Sequence, residues 1–376
     1  MDCFSVSVKG VLEADGKLLL RQNERGEFEL PGGRLEKEDT SFDKICRYRT
    51  KFICCCILSL FALLNLTGCG SGSSGTASNN DTREVPQVAV TETTKISDVI
   101  NDPLFGDHGR LIFPADTSYY SGDTLGDLSL TWYSNIKPAR TVEIVNYMRE
   151  QAASGHQIFY RIYSDEEIAA DSRKADTGLF FFRGNPGAKF AICNAGGGFV
   201  FVGAMHDSFP HALELSKIGY NAFALIYRPG AQTACEDLAR AIAFIHEHAA
   251  ELEVDVSGYS LWGGSAGARM AAWLGSYGTE SFGERRYPRP AAVIMQYTGL
   301  SEVTGNEPPT YNCVGTNDGI ASWRTMQARI EAIKANGTEA EIEVFNGLSH
   351  GFGLGEGTVA EGWLNRAVTF WETAGN

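Results

Sequence analysis

From residue 188 to the C-terminus the chain alternates short, nearly unbroken apolar runs with amphipathic stretches. AKFAICN, NAFALIYR, GYSLWGG, AAVIMQYTG, TYNCVGTND and EIEVFNG read as strands. HDSFPHALELSKIG, TACEDLARAIAFIHEHAAEL, SAGARMAAWLGSYG, SWRTMQARIEAIKANG and GTVAEGWLNRAVTFWETAG, which interleave with them, read as helices. A strand that is apolar on both sides needs cover on both faces, and an intervening helix returns the chain parallel to its predecessor. The pattern therefore predicts an α/β fold with a mostly parallel central sheet and helices on both faces, over residues 96–376. Between residues 96 and 186, the aromatic-rich LSLTWYSNI, HQIFYRIYS and TGLFFFRG read as further strands and TVEIVNYMREQAAS as a helix. No repeat with the period of a solenoid or propeller is present.

Composition narrows the function classes. With 43% hydrophobic and 21% charged residues over 376 positions, the chain is neither fibrous nor wholly disordered. A net charge of −14 argues against general nucleic-acid binding, because phosphate backbones are held by clustered Lys and Arg. That charge is carried by the residues after position 68, since the first 68 hold 10 basic and 10 acidic side chains. Cysteines divide in the same place: Cys3, Cys46, Cys54, Cys55 and Cys56 lie early, leaving Cys69, Cys193, Cys235 and Cys313. Four such scattered cysteines make no disulfide scaffold and no C-x-x-C zinc pattern, so no metal is expected. His246 and His248, two apart on a helix, cannot share a face and add no metal site.

The N-terminal part splits into three pieces. Residues 1–43 contain an apolar β segment followed by GEFELPGGRLEKED. This stretch resembles the opening of a Nudix hydrolase, but the helix with paired glutamates that the resemblance requires for a divalent cation is replaced by TSFDKICRYRT, so the piece reads as a truncated remnant. Residues 44–69 carry Lys44, Arg47, Arg49 and Lys51, then the 15-residue run FICCCILSLFALLNL, then Leu66-Thr67-Gly68-Cys69. That is the order of an export signal, and the run is shorter than the roughly 20 residues of a spanning helix. Its ending resembles the lipobox of bacterial lipoproteins, which implies lipidation of Cys69 and an exported, membrane-anchored protein. Residues 70–95, opening with GSGSSGTASNND, read as a flexible linker.

The chemistry concentrates at Trp262-Gly263-Gly264-Ser265-Ala266-Gly267, between an apolar strand and an Ala-rich helix. Small residues two before and two after a serine allow a sharp strand-to-helix turn that exposes the hydroxyl at a helix N-terminus. This turn resembles the nucleophile elbow of the α/β-hydrolases, in which nucleophile, acid and histidine follow in that order. A serine needs a base and a group that orients the base. Of seven histidines only His350 follows Ser265, in a Gly-rich loop after EIEVF, and Asp318 is the only aspartate after it, at the end of an apolar run. Glu302 and Glu307 remain alternative acids. Cys193-Asn194-Ala195-Gly196-Gly197-Gly198-Phe199 follows a strand where the same family carries its oxyanion loop, so the N–H groups of Gly196, Gly197 and Ala266 are the expected oxyanion donors.

Taken together these four motifs resemble the esterases of the α/β-hydrolase superfamily, near the hormone-sensitive-lipase-like and acetylxylan or feruloyl esterase branches, over residues 180–376. The resemblance implies a serine carboxylic-ester hydrolase that needs no cofactor, with a small-molecule or glycan-linked ester as substrate. A prolyl-oligopeptidase-like peptidase and a noncatalytic surface binding protein are the alternatives. Ala195 departs from the family, where many members have His before the glycines, and Asn194 is the expected compensation. Tyr227-Arg228-Pro229 resembles a structural turn of the same relatives. His206, Asp207 and His211 are candidates to line the acyl or alcohol pocket.

Overall fold

The computed structural model describes residues 89–133 and 135–374, together with four two-residue strands near the N-terminus. The chain separates into two units, Met1–Thr82 and Arg83–Asn376. In the first, Glu13–Ala14 pairs antiparallel with Lys17–Leu18, and Arg21–Gln22 with Phe28–Glu29. The Nudix-like turn, the signal segment and Cys69 lie outside the described residues.

The second unit is built on an eight-stranded sheet: β1 (Phe159–Arg161), β2 (Gly178–Phe182), β3 (Lys189–Asn194), β4 (Asn221–Ile226), β5 (Asp255–Gly264), β6 (Ala292–Gln296), β7 (Thr310–Gly315) and β8 (Ala340–Phe345). Their spatial order is β8-β7-β6-β5-β3-β4-β2-β1. The strands from β3 to β8 run parallel, while β1 and β2 are antiparallel additions at one edge. In β2, β4, β6 and β7 every residue is buried, as sheets covered on both faces require. Cover comes from six helices: α1 (Pro138–Ala153), α2 (Phe209–Lys217), α3 (Ala231–Glu247), α4 (Ala266–Tyr277), α5 (Trp323–Ala335) and α6 (Trp363–Thr373). α1 packs on α2, and α3 on α4. The inner face of α3 is Ala234, Leu238, Ala241, Ile242 and Ile245, an apolar stripe at helical spacing that faces the core.

Several expected elements are shorter or interrupted. LSLTWYSNI yields only the two-residue strand Ser129–Leu130, after which the chain turns at Trp132 with φ 69. The helix expected from residue 206 breaks at Ser208, because Pro210 lacks a backbone N–H and opens a new helix instead. The last helix starts at Trp363 rather than 357, since Gly355, Gly357 and Gly362 all hold positive φ. The linker expected through residue 95 ends earlier: Val90 is buried, and its N–H and C=O bond to the Asn146 side chain of α1 at 2.8 and 3.0 Å.

Candidate active site

Ser265 stands between β5 and α4 at φ 52, ψ −113, a region that non-glycine residues rarely occupy. The turn is possible because its neighbours are glycines: a Cβ on Gly267 would lie 2.0 Å from the Asn194 carbonyl oxygen, and one on Gly263 would lie 2.3 Å from the backbone of Gly267. The start of α4 thus lies close against the ends of both β3 and β5, and Ser265 N–H donates to the Gln296 carbonyl of β6 at 3.0 Å. The strain is held by the sheet on both sides.

Asp318 and His350 reach the same point from the ends of β7 and β8. In the tautomer with the proton on Nδ1, His350 donates to Asp318 Oδ2 at 2.9 Å, and Ser265 Oγ donates to His350 Nε2 at 3.1 Å. Asp318 Oδ1 accepts from the backbone N–H groups of Ile320 and Ala321 at 2.8 and 2.7 Å, so its carboxylate cannot turn away. The Asp318 side chain is fully buried and that of His350 is 15% exposed. The alternative acids are engaged elsewhere: Glu302 accepts from Trp273 and Tyr277, and Glu307 from the backbone N–H groups of Thr304 and Gly305.

The oxyanion loop corrects one expectation. Gly196 N–H is not free, because it donates to Asp207 Oδ2 at 3.0 Å. Among the described residues, the N–H groups of Gly197, Gly198 and Ala266 have no protein acceptor. The unengaged N–H groups at this point are therefore those of Gly197, Gly198 and Ala266 rather than that of Gly196. Gly197 and Gly198 have φ 124 and 62, conformations that turn successive N–H groups toward one point.

Ala195 stands before the glycines, and the loop is pinned by other groups. Tyr227 O–H donates to the Ala195 carbonyl at 2.7 Å. Asn194 bonds the Trp262 carbonyl of β5 at 2.8 Å, which ties β3 to the strand before the nucleophile. Beneath both lies Asp207, whose side chain is fully buried. Tyr133 O–H donates to its Oδ2 at 2.7 Å and Tyr297 O–H to its Oδ1. No Lys or Arg pairs with Asp207 among the described residues. Burial, with the adjacent carboxylate, pushes both tyrosine hydroxyls well above their ordinary range, so they remain donors at every physiological pH. The Tyr297 ring also packs edge-on against His350, centroids 5.0 Å apart. His206 Nε2 donates to the Gly351 carbonyl at 2.8 Å, and Gln296 to that of Gly353 at 2.8 Å, fixing the loop that carries His350.

Asp207 and His211 are thus buried under the site rather than facing substrate. Burial pushes His211 down to about 4. His206 lines a cavity of about 420 Å³ with Lys137, Arg140, Phe352 and Glu356, and no triad residue lines it. Arg228, read as structural, is a buried cation held by Asp237 at 2.7 Å and Asp171 at 2.9 Å. His246 is packed among Phe190, Tyr259 and Tyr287, and His248 pairs with Glu251. Tyr133, Tyr297 and Trp132 carry no sequence signal of their own: single aromatics in irregular segments are indistinguishable from core residues until the fold brings them to the loop.

Comparisons with known proteins agree with this architecture. The BD-FAE family model matches residues 184–319, a span that contains the oxyanion loop, Ser265 and Asp318. Among solved structures, the acetyl ester-xyloside bifunctional hydrolase from Caldicellulosiruptor lactoaceticus superposes with a TM-score of 0.51 at 21% identity, over 57% of this chain and 95% of that one. A propionate-bound esterase, Est2, from the planctomycete Thermogutta terrifontis gives 0.48 at 22% identity, over 56% and 92%. No curated protein matches the chain. The strand order and the first of these superpositions establish the α/β-hydrolase fold.

Proposed function

We propose that this α/β-hydrolase-fold chain is a serine carboxylic-ester hydrolase that works through an acyl-enzyme. The observation that carries the reading is the strained Ser265 within 3.1 Å of His350 Nε2, with His350 in turn 2.9 Å from a buried, backbone-anchored Asp318. Ser265 Oγ attacks the ester carbonyl carbon while its proton passes to His350 Nε2. Asp318 stabilises the imidazolium and keeps Nε2 aimed at the serine. The carbonyl oxygen becomes an oxyanion, for which the unpaired N–H groups of Gly197, Gly198 and Ala266 are the donors. Collapse of this intermediate expels the alcohol, which takes the proton from His350 and leaves the acyl group on Ser265. Water, deprotonated by His350, then repeats the sequence and releases the acid. None of these steps calls for a cofactor.

The test is fluorophosphonate labelling of residues 70–376 with mapping of the adduct, beside hydrolysis of p-nitrophenyl acetate, butyrate and octanoate. An adduct on Ser265, and turnover that falls about 10³-fold or more in Ser265→Ala, is the expected result. Folded protein with neither adduct nor turnover refutes it. The solved neighbour named for acetyl ester and xyloside hydrolysis makes an acetylated sugar the first natural ester to try.

We also propose export and anchoring through Cys69, on the strength of the basic, apolar and L-T-G-C sequence order alone. Expression with an alkyne-tagged fatty acid should label the chain, and Cys69→Ser should abolish the label. Equal labelling of both, or of neither, refutes the anchor.

A further inference from the structure

Of the five non-glycine residues with positive φ among the described residues, Trp132, Phe199, Ser265 and Tyr297 lie at this site and Glu253 lies elsewhere. Backbone strain collects where a side chain must be presented against its conformational preference. Ser265 is presented as the nucleophile and Tyr297 as the partner of Asp207. Trp132 has no such internal partner.

Trp132 is 63% exposed, whereas Trp262, Trp363 and Trp371 are buried. It is rigidly mounted all the same. Thr131 N–H donates to the Tyr119 carbonyl at 2.8 Å and Tyr133 N–H to the Leu130 carbonyl at 3.0 Å, so both neighbours are fixed. The Tyr133 side chain runs inward to Asp207 and anchors the turn beneath the oxyanion loop. The alternation of Tyr133 inward and Trp132 outward lays the indole over Gly198, where a Cβ would come within 3.2 Å of the ring. Phe201 supports it from the side at a centroid distance of 5.6 Å, and Tyr119 stacks on Phe201 in turn at 4.7 Å. The indole is therefore an exposed flat surface braced by a cluster of aromatics and set against a glycine whose N–H is free for the oxyanion.

We infer that Trp132 is the platform on which a flat ring of the substrate stacks while the ester carbonyl occupies the oxyanion loop, an inference that rests on the serine-hydrolase reading. A flat indole buries the most area against another flat apolar face, and such contacts add stabilisation beyond area alone. A pyranose on the alcohol side and an aryl ring on the acyl side both offer that face, and both place it within a few bonds of the carbonyl. A plain alkyl ester offers none, so Trp132 selects ring-bearing esters over it.

The experiment compares parent, Trp132→Ala and Trp132→Tyr on three esters: ethyl acetate, acetylated methyl xyloside and ethyl cinnamate. The expected result is a loss of about 5- to 20-fold in kcat/KM for Trp132→Ala on at least one ring ester, mostly through KM. Ethyl acetate should stay within about two-fold of the parent, and Trp132→Tyr should recover most of the loss. Which ring ester responds identifies the side that stacks. Equal losses on all three esters would make Trp132 a brace for the oxyanion loop and overturn the proposal, as would no loss on any. If the parent hydrolyses none of the three, fluorophosphonate labelling decides the serine-hydrolase reading separately, which fails if Ser265 takes no adduct. The platform is then judged by saturation-transfer NMR of methyl xyloside and cinnamate, and equal signals with parent and Trp132→Ala overturn it.

Discussion

Asp207 gives the sharpest test of how the oxyanion loop is held. Its fully buried carboxylate accepts from Gly196 N–H, Tyr133 O–H and Tyr297 O–H, and these donors belong respectively to the oxyanion loop, the Trp132 turn and the strand end beside His350. Asp207→Ala strands all three. A buried donor without an acceptor costs about 1–3 kcal/mol, and part of that is offset because no carboxylate then has to be desolvated without a cationic partner. A net loss of about 2–4 kcal/mol is expected, which for a unit spanning Arg83–Asn376 lowers Tm by roughly 3–6 °C. The kinetic effect should be larger in proportion. Gly196 directly precedes the donors Gly197 and Gly198, and a displacement of about 1 Å in a catalytic group costs on the order of 10²-fold, so kcat should fall by that factor with KM nearly unchanged. Asp207→Asn keeps one acceptor oxygen at the Oδ2 position and lets Tyr297 O–H accept instead of donate. It should retain kcat within about ten-fold, because its neutral hydrogen bonds are weaker but its geometry is kept. Steady-state kinetics on p-nitrophenyl butyrate, read beside thermal unfolding, separates the two effects. A folded Asp207→Ala enzyme with kcat within about three-fold of the parent would refute the reasoning, since the loop would then be held without this carboxylate.

Asp318→Asn should leave the fold intact and reduce kcat on the order of 10³- to 10⁴-fold, because the amide favours the wrong imidazole tautomer; a loss below ten-fold in the same ester assay would mean another acid serves His350. Gly267→Ala sets a methyl 2.0 Å from the Asn194 carbonyl oxygen, and should cost more than about 3 kcal/mol in urea unfolding or prevent soluble expression; a stable, active variant would show that the turn is looser than this geometry. His211 is held neutral by burial, with its value lowered to about 4. The folded state therefore binds fewer protons than the unfolded chain below pH 6.5. Stability should be full above pH 6.5 and fall toward pH 4, by up to about 3 kcal/mol. Urea midpoints measured across that window should lose much of this slope in His211→Gln, and an unchanged slope would place the acid sensitivity elsewhere.

The sheet from β3 to β8 was legible because each strand is a short apolar run bounded by Gly, Asn or Asp, and each helix carries a 3.6-residue stripe. The mutual contact of Ser265, His350 and Asp318 was legible for a different reason: only one histidine and one aspartate follow Ser265, so order alone left little choice. The helix over Pro138–Ala153 and the strands Phe159–Arg161 and Gly178–Phe182 were legible as well, and it is the stretch from residue 96 to Tyr133 that resisted reading. Its aromatics sit in turns and 3-10 helices between Gly106 and Tyr119 and around Trp132, where no period of two or 3.6 operates. Gly196 was misassigned for a physical reason that the same segment supplies. Three consecutive glycines offer three equivalent N–H groups in sequence, and only the buried Asp207, placed by a short helix after the loop, removes one of them.

Ala195 is small and fully buried, so the loop that follows it is braced from outside. Tyr227 takes the Ala195 carbonyl, Asp207 takes the Gly196 N–H, and Tyr133 and Tyr297 hold Asp207. Cost follows from that design. The carboxylate must be buried with no Lys or Arg beside it, which is unfavourable unless every oxygen lone pair that faces the protein finds a donor. Two tyrosine hydroxyls and one amide satisfy it, and they also couple elements far apart in sequence. The turn at Trp132, the oxyanion loop and the strand end next to His350 are joined through a single side chain. An error in any of these positions propagates to the others, so the three loops are expected to order together rather than independently. That coupling makes residues 89–186 part of the same packed unit as Ser265 instead of an appendage to it. A domain cut at residue 180, where the motif-bearing sequence begins, would expose Asp207 without Tyr133 and lose the oxyanion loop along with the Trp132 face.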